Sequence, residues 1–350
     1  MAPQEAAAIA GARRFTPVRA VRVTASLAAL LAAVAAGSLL VGSSDVGLAD
    51  LPAILTGTAS AQATAIIADV RLPRVLLALA VGAALAAAGA SLQSVLRNPL
   101  ADPYILGLSG GAGLGAILMT SLAGEESVRG AALRPLASFA GSLAAVLGLL
   151  ALARLRGRRS PETMLLMGAV INATFMALIL FVITVADVGR YQGVMYWLVG
   201  NLSPATRPVL VIIYICVASG VAALTLLGGH LNLLSGGEET AEQLGSPVGR
   251  IRLLAILFAC LATAAAVSVS GLIGFVGLMV PHLARTWFGP DNRLVIPASA
   301  IVGAALLIAA DTAARTALAP TQIPVGVITA LAGGPFFLWL FSRRTARDDA

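Results

Sequence analysis

Leu253-Leu-Ala-Ile-Leu-Phe-Ala-Cys-Leu-Ala-Thr-Ala-Ala-Ala-Val-Ser-Val-Ser270-Gly-Leu-Ile-Gly-Phe-Val-Gly-Leu-Met-Val-Pro-His-Leu-Ala284 carries no charged side chain. As one straight helix it would reach about 48 Å at 1.5 Å per residue, well past the about 30 Å of a bilayer's hydrocarbon core. It therefore has to turn back on itself. Gly271, Gly274 and Gly277 supply the break points, because a residue without Cβ bends the backbone at little steric cost. The stretch reads as one full span followed by a short one. Other uncharged stretches are Val23–Ser44, Val75–Leu96, Pro103–Gly124, Pro135–Ala153, Thr163–Ala186 and Pro208–Gly237. About 20 apolar residues cross the hydrocarbon as a helix. With 59% hydrophobic and 11% charged residues and a mean hydropathy of +0.93, against about a quarter charged in soluble chains, this is an integral membrane protein.

Ten spans follow, at 23–42, 72–96, 103–124, 133–153, 162–187, 208–229, 250–270, 272–288, 293–313 and 324–342. The N-terminal apolar run is longer than the 7–15 residues of a signal-peptide core and reads as an uncleaved first helix. Arginine placement tests the count independently. With the N-terminus inside, cytoplasmic segments hold 16 of the 23 arginines and the outer segments 7. Excess positive charge on cytoplasmic loops thus fits ten helices with both termini cytoplasmic. The expected organisation is a cytoplasmic N-terminal segment 1–22, a transmembrane domain 23–342 with a cytoplasmic loop at 235–249, and a tail 343–350. Gly89 and Pro99 are spaced like Gly271 and Pro281. That spacing suggests an inverted internal repeat, as in many transporters.

Several chemistries are excluded. The chain has no lysine, so it lacks the phosphate-binding lysine of a P-loop and any Schiff-base lysine. The net charge of +7 sits in short arginine clusters beside apolar spans, which is no nucleic-acid signal. Cys216 and Cys260 lie in apolar runs and read as small buried hydrophobes. With His230 and His282 the only histidines, no metal-ligand spacing exists.

Four ordered motifs resemble the FecCD-type permeases of ABC importers for iron-siderophores, haem and cobalamin. The first runs from Arg71-Leu-Pro-Arg74 through Gly82, Gly89 and Gln93 to Arg97-Asn-Pro-Leu-Ala-Asp-Pro103, then Leu106-Gly107 and Gly110–Gly115. The second is Gly236-Gly-Glu-Glu-Thr-Ala-Glu-Gln-Leu-Gly245, and the third is Gly271–Arg285. The fourth comprises Ala310-Asp311 to Arg315, Ile323-Pro-Val-Gly-Val327 and Gly333-Gly-Pro-Phe-Phe337. The resemblance covers about residues 45–345; Gly236-Gly237 departs from the Leu-Gly with which the family's coupling segment usually starts. It implies an all-α, ten-helix fold of the cobalamin-importer (type II) kind in a bacterial inner or plasma membrane. The chain would be a permease subunit without cofactors, paired with a second copy or a paralogue. ATP and Mg would lie on two separate ATP-binding subunits, and an extracytoplasmic binding protein would deliver the cargo.

The resemblance also implies residue roles, each with a plainer alternative. Arg71, Arg74 and Arg315 match positions that receive acidic side chains of the binding protein; alternatively they anchor helix ends at the membrane interface. Asn98 and Leu100 match a cytoplasmic gate, although Asn98 can equally cap a bend. Glu238, Glu239, Thr240, Ala241, Glu242, Gln243, Leu244 and Gly245 match the segment that docks into the ATPase. Its acidic first turn suits the helix dipole, and Gly245 with Pro247 stops it; a solvated loop helix is the alternative. Asn172 and Thr174 interrupt an apolar span and either line the pathway or join two helices.

Two other functions compete. An ion-coupled carrier usually needs ionisable residues within the membrane, and no Asp or Glu falls mid-span. An intramembrane serine hydrolase would use Ser109 of Gly107-Leu-Ser-Gly110 with His282 as base. Single cysteines at Gly157 and Ser235 are expected to react only from the cytoplasm and one at Glu125 only from outside. Labelling of the Gly157 and Glu125 positions from one side would remove the ten-span reading.

Overall fold

The computed structural model describes residues 15–42, 53, 56, 58–123, 128–155, 161–185, 196–202 and 207–348. Every regular element among them is helical. Ten long helices are α1 (Pro17–Leu40), α2 (Leu72–Val95), α3 (Leu108–Ala123), α4 (Val128–Leu155), α5 (Pro161–Val185), α6 (Arg207–Leu226), α9 (Val248–Ser270), α10 (Val276–Phe288), α11 (Asn292–Thr316) and α12 (Val325–Asp348). Two short helices, α7 (Gly228–Ser235) and α8 (Glu238–Gln243), sit between α6 and α9. Seven of the long helices are apolar and long enough to cross a membrane; α3 and part of α12 are shorter apolar helices.

Several boundaries differ from the expected ones. α1 starts at Pro17, with Thr16 accepting from the Arg19 amide as N-cap, so Arg19 and Arg22 are helical rather than part of a leading segment. α2 is preceded without a break by Ala61–Ala65 and a π-helical turn, Ile66–Arg71. The third span opens as a 3₁₀ turn, Pro103–Leu106, and turns at left-handed Gly107. α12 continues to Asp348 instead of ending in a tail. The two glycine–proline pairs sit in different local settings: Gly89 lies inside α2 and Pro99 beyond its end, whereas Gly271 follows α9 and Pro281 lies inside α10.

Helix α2 is the centre of the packing. In the Ala61–Val95 span 83% of the most apolar window is buried by the protein itself, against 6% for α1 and 11% for α5. All three are apolar, but α2 is built mainly from alanine, glycine and leucine, and small residues let helix backbones approach. A Cβ at Gly82 would collide with the Gly303 carbonyl of α11, and one at Gly89 with the Gly277 carbonyl of α10. These two contacts press α2 against both neighbours. α1 and α5 instead expose leucine, valine and phenylalanine along their outer faces.

The turn-back in the opening stretch occurs at Gly271–Phe275, which is not helical. α10, with 13 residues, is about 20 Å long, too short for the about 30 Å hydrocarbon core. Its second residue, Gly277, packs against Gly89, so it begins beside the interior of the membrane-length α2 span. Non-helical backbone survives there only when protein satisfies its polar groups. The Tyr104 hydroxyl accepts from the Ile273 amide at 3.1 Å and donates to the Ile273 carbonyl at 3.2 Å. The Asn201 amide donates to Ser270 O at 2.8 Å, and Gly326 to Gly200 O at 3.2 Å. Gly271 takes φ +66°, a value a side chain would strain.

Gly89→Ala is expected to retain membrane insertion but lose thermal stability in detergent. The added methyl has a backbone carbonyl in its way, and overpacking typically costs about 1–3 kcal/mol. A melting temperature equal to the parent's would mean that α2 and α10 are not in close contact.

Candidate functional site

The two ends of the bundle carry different polar clusters. At one end, Asp311 of α11 is 1% exposed and pairs with two arginines. Arg74 Nε lies 2.8 Å from its Oδ1, and Arg315 Nε 3.0 Å from its Oδ2. Arg74 also donates to Gln322 Oε1 at 3.0 Å, and Arg315 to Ser38 Oγ at 3.0 Å. Arg71 donates to Leu39 O at 2.7 Å. The structure thus gathers Arg71, Arg74 and Arg315 from distant parts of the chain, but inside the protein. At 4%, 7% and 6% exposure, they are not the exposed contact residues expected; they tie α1, α2 and α11 together. Asp311 was absent from the expected site residues, although its i, i+4 spacing to Arg315 was a readable signal.

At the opposite end, α2 closes with Arg97 in the left-handed region at φ +48°. The Asn98 amide donates back to Gln93 O at 3.1 Å, a six-to-one cap of the kind that ends helices. Asn98 Oδ1 then accepts from the Leu100 amide at 2.9 Å, shaping the turn. Leu100 is 44% exposed. Asp102 caps the following 3₁₀ turn through the Tyr104 amide at 2.8 Å. Burial pushes its carboxyl up to about 6, opposed by that hydrogen bond.

Close by lies α8. Glu238–Gln243 is helical, Leu244 is its C-cap and Gly245 turns the chain at φ +79°, one residue earlier than the expected helix through Leu244. Glu238 pairs with Arg252 of α9, and Arg97 Nη2 stands 3.6 Å from the same oxygen. Ala241 is fully buried, and Ser246 Oγ meets His230 Nδ1 at 3.1 Å. Glu239, Thr240, Glu242, Gln243, Leu244 and Gly245 face outward. A neighbouring network joins Asn232 to Asp291, Asp291 to Arg293, and Ser94 to Asn292. Burial alone would raise the Asp291 carboxyl, but hydrogen bonds from Arg293 and Asn232 hold it below the usual range.

Asn172 and Thr174 part company. Asn172 Oδ1 accepts from Ser109 Oγ and from the Gly110 amide, both at 2.8 Å, which joins α5 to α3. Thr174 is exposed on α5 and donates to its own helix at Val170 O. Because Ser109 directs its proton to Asn172, it has no activating base; the His282 ring packs edge-on against Phe336. The serine-hydrolase constellation is not assembled. No group of histidine, cysteine and carboxylate residues able to hold a metal ion occurs among the described residues.

Asp311→Asn is expected to destabilise the protein strongly, since removing one partner of a buried ion pair costs about 3–5 kcal/mol. Arg293→Gln, whose side chain is 47% exposed in its pair with Asp291, should cost no more than about 1 kcal/mol. Thermal melts in detergent compare them. Equal losses would contradict the central role of Asp311.

A family model described as the FecCD transport family matches residues 29–343. The chain is 43% identical over 293 residues to the cobalamin import system permease protein BtuC of Halobacterium salinarum, covering 81% of this chain and 75% of that one. It is 40% identical over 278 residues to the hemin transport system permease protein HmuU of Yersinia pestis, covering 79% and 82%. Among solved structures, an ABC transporter of the metal-chelate type in an inward-facing conformation matches with a TM-score of 0.78 at 30% identity, over 92% of this chain and 99% of that one. With apolar spans, buried small-residue helix contacts and a matched region that takes in both polar ends, this chain is a multi-pass membrane protein of the FecCD transport family.

Proposed function

We propose that this chain is the permease subunit of an ATP-driven importer for a metal chelate of the siderophore, haem or cobalamin class. The observation that carries the reading is α8, a six-residue helix with a polar outward face, bonded to the ends of α2 and α9. It offers a handle for a second protein at the end to which the ten-span reading assigns 16 of the 23 arginines. The absence of lysine leaves this chain without a P-loop of its own, so hydrolysis falls to separate ATP-binding subunits. With the arginine-rich end cytoplasmic, both termini are cytoplasmic, in a bacterial inner or plasma membrane.

A second permease copy or paralogue completes the pathway. Thr174, on the exposed face of α5, is the better pathway candidate, because Asn172 is committed to α3. Asn98 and Leu100 close the pathway at the cytoplasmic end. The binding protein docks at the Arg74 end, where Arg71, Arg74 and Arg315 set the shape and positive potential of the surface from beneath. An ion-coupled carrier is disfavoured by one feature: such a carrier needs an available ionisable group within the membrane, and buried Asp311 is bonded to two arginines.

Purified chain alone is expected to hydrolyse no ATP, and proteoliposomes holding the full assembly to take up radiolabelled cyanocobalamin or haemin only with ATP inside. Replacing Glu238–Leu244 by a Gly/Ser linker should leave insertion intact and abolish ATP-dependent uptake. Turnover of ATP by the chain alone, or unchanged uptake with the linker, contradicts the proposal.

A further inference from the structure

Three separately anchored elements meet at one carboxylate. Glu238 is the first residue of α8. Its Oε1 accepts from Arg252, in the first turns of α9, and lies 3.6 Å from Arg97 Nη2, beyond the last turn of α2. The two cations differ in freedom: the Arg252 side chain is 9% exposed and that of Arg97 40%. The carboxylate therefore stands between a buried guanidinium and a part-exposed one. Arg97's backbone is locked by the cap of α2, and the chain runs on directly through Asn98 and Pro99 to exposed Leu100. Arg97 is thus the residue at which the Glu238 contact meets the base of that turn.

The other end of α8 is held differently. Ala241 is wholly buried, and Ser246, just past the turn at Gly245, is hydrogen-bonded to His230 of α7. A body that pushes on the outward residues Glu239, Glu242 and Leu244 therefore tilts α8 about its buried side rather than sliding it. The tilt appears at Glu238. We propose that Glu238 is the positioning residue that passes movement of α8 to the Asn98–Leu100 turn through Arg97, with Arg252 as the fixed point. The proposal rests on the permease reading above and deepens it. Part-exposed ion pairs add little to stability, so the effect belongs in coupling between the sites.

The test uses the chain co-purified with its ATP-binding subunit, in a Cys216→Ala, Cys260→Ala background. Leu100→Cys and Leu244→Cys, at positions 44% and 63% exposed, report maleimide labelling rates in nucleotide-free and ATP–vanadate-trapped states. With Glu238 present, trapping should change the rate at position 100 by about fivefold or more, the lower end of usual coupling between sites. In Glu238→Gln and in Arg97→Ala the change should fall below about twofold, and the two substitutions combined should add nothing to either alone. Protection of position 244 by the ATP-binding subunit should persist in both variants, because docking uses the outward face. Position 244 unprotected in the parent would overturn the permease reading, and the relay with it. Position 244 protected, with position 100 either unresponsive in the parent or equally responsive in both variants, would overturn the relay alone. Arg97→Ala alters a side chain 40% exposed, so it keeps the test informative if Glu238→Gln fails to fold.

Discussion

A bilayer offers no water to an unpaired backbone amide or carbonyl, and this architecture follows from that constraint. Helices satisfy it within themselves, so the buried centre can be a single helix, α2, whose neighbours need only pack. They pack closely because Gly82 meets Gly303 and Gly89 meets Gly277. Where the helical pattern stops inside the membrane, at Gly271–Phe275, the backbone is satisfied by a tyrosine hydroxyl and by the stretch around Gly200. Helices α2, α10 and α11 thus form one block, and the less buried α1 and α5 present exposed apolar faces.

Polar chemistry is confined to the two ends of that block, and the ends differ in kind. At the Asp311 end the ionic groups are buried and bonded inward, which makes a stiff seam between α1, α2 and α11. At the Glu238 end the groups are part-exposed, and a short helix stands out from the bundle. Stiffness at one end and a part-exposed contact at the other suit a protein on which a partner acts at one end. Both ends are connected through α2, whose first residues follow Arg71 and whose cap is Arg97.

Much of this could be read from residues alone, for identifiable reasons. Length and lack of charge reveal spans, and Gly271, Gly274 and Gly277 reveal that one long run must fold back. The gathering of Arg71, Arg74 and Arg315 could also be anticipated. Their burial could not, because it depends on Ser38 and Gln322 arriving from two other segments and on Asp311 being shared with Arg74 of a distant helix. Asn172 shows the same difficulty: a polar residue in an apolar span signals a partner, but only the packing of α3 on α5 identifies it as Ser109. An arginine does not mark the start of a helix here. Arg19 and Arg22 are helical, and a long side chain can reach the interface from within a helix.

The central claim is that α2, α10 and α11 move as one block while α8 and the turn it touches shift against it. Electron cryomicroscopy of the assembled importer in lipid nanodiscs, with and without trapped nucleotide, addresses it directly. The account predicts that the Gly82–Gly303 and Gly89–Gly277 backbone contacts are the same in both states. Opening of either contact between the two states would contradict it.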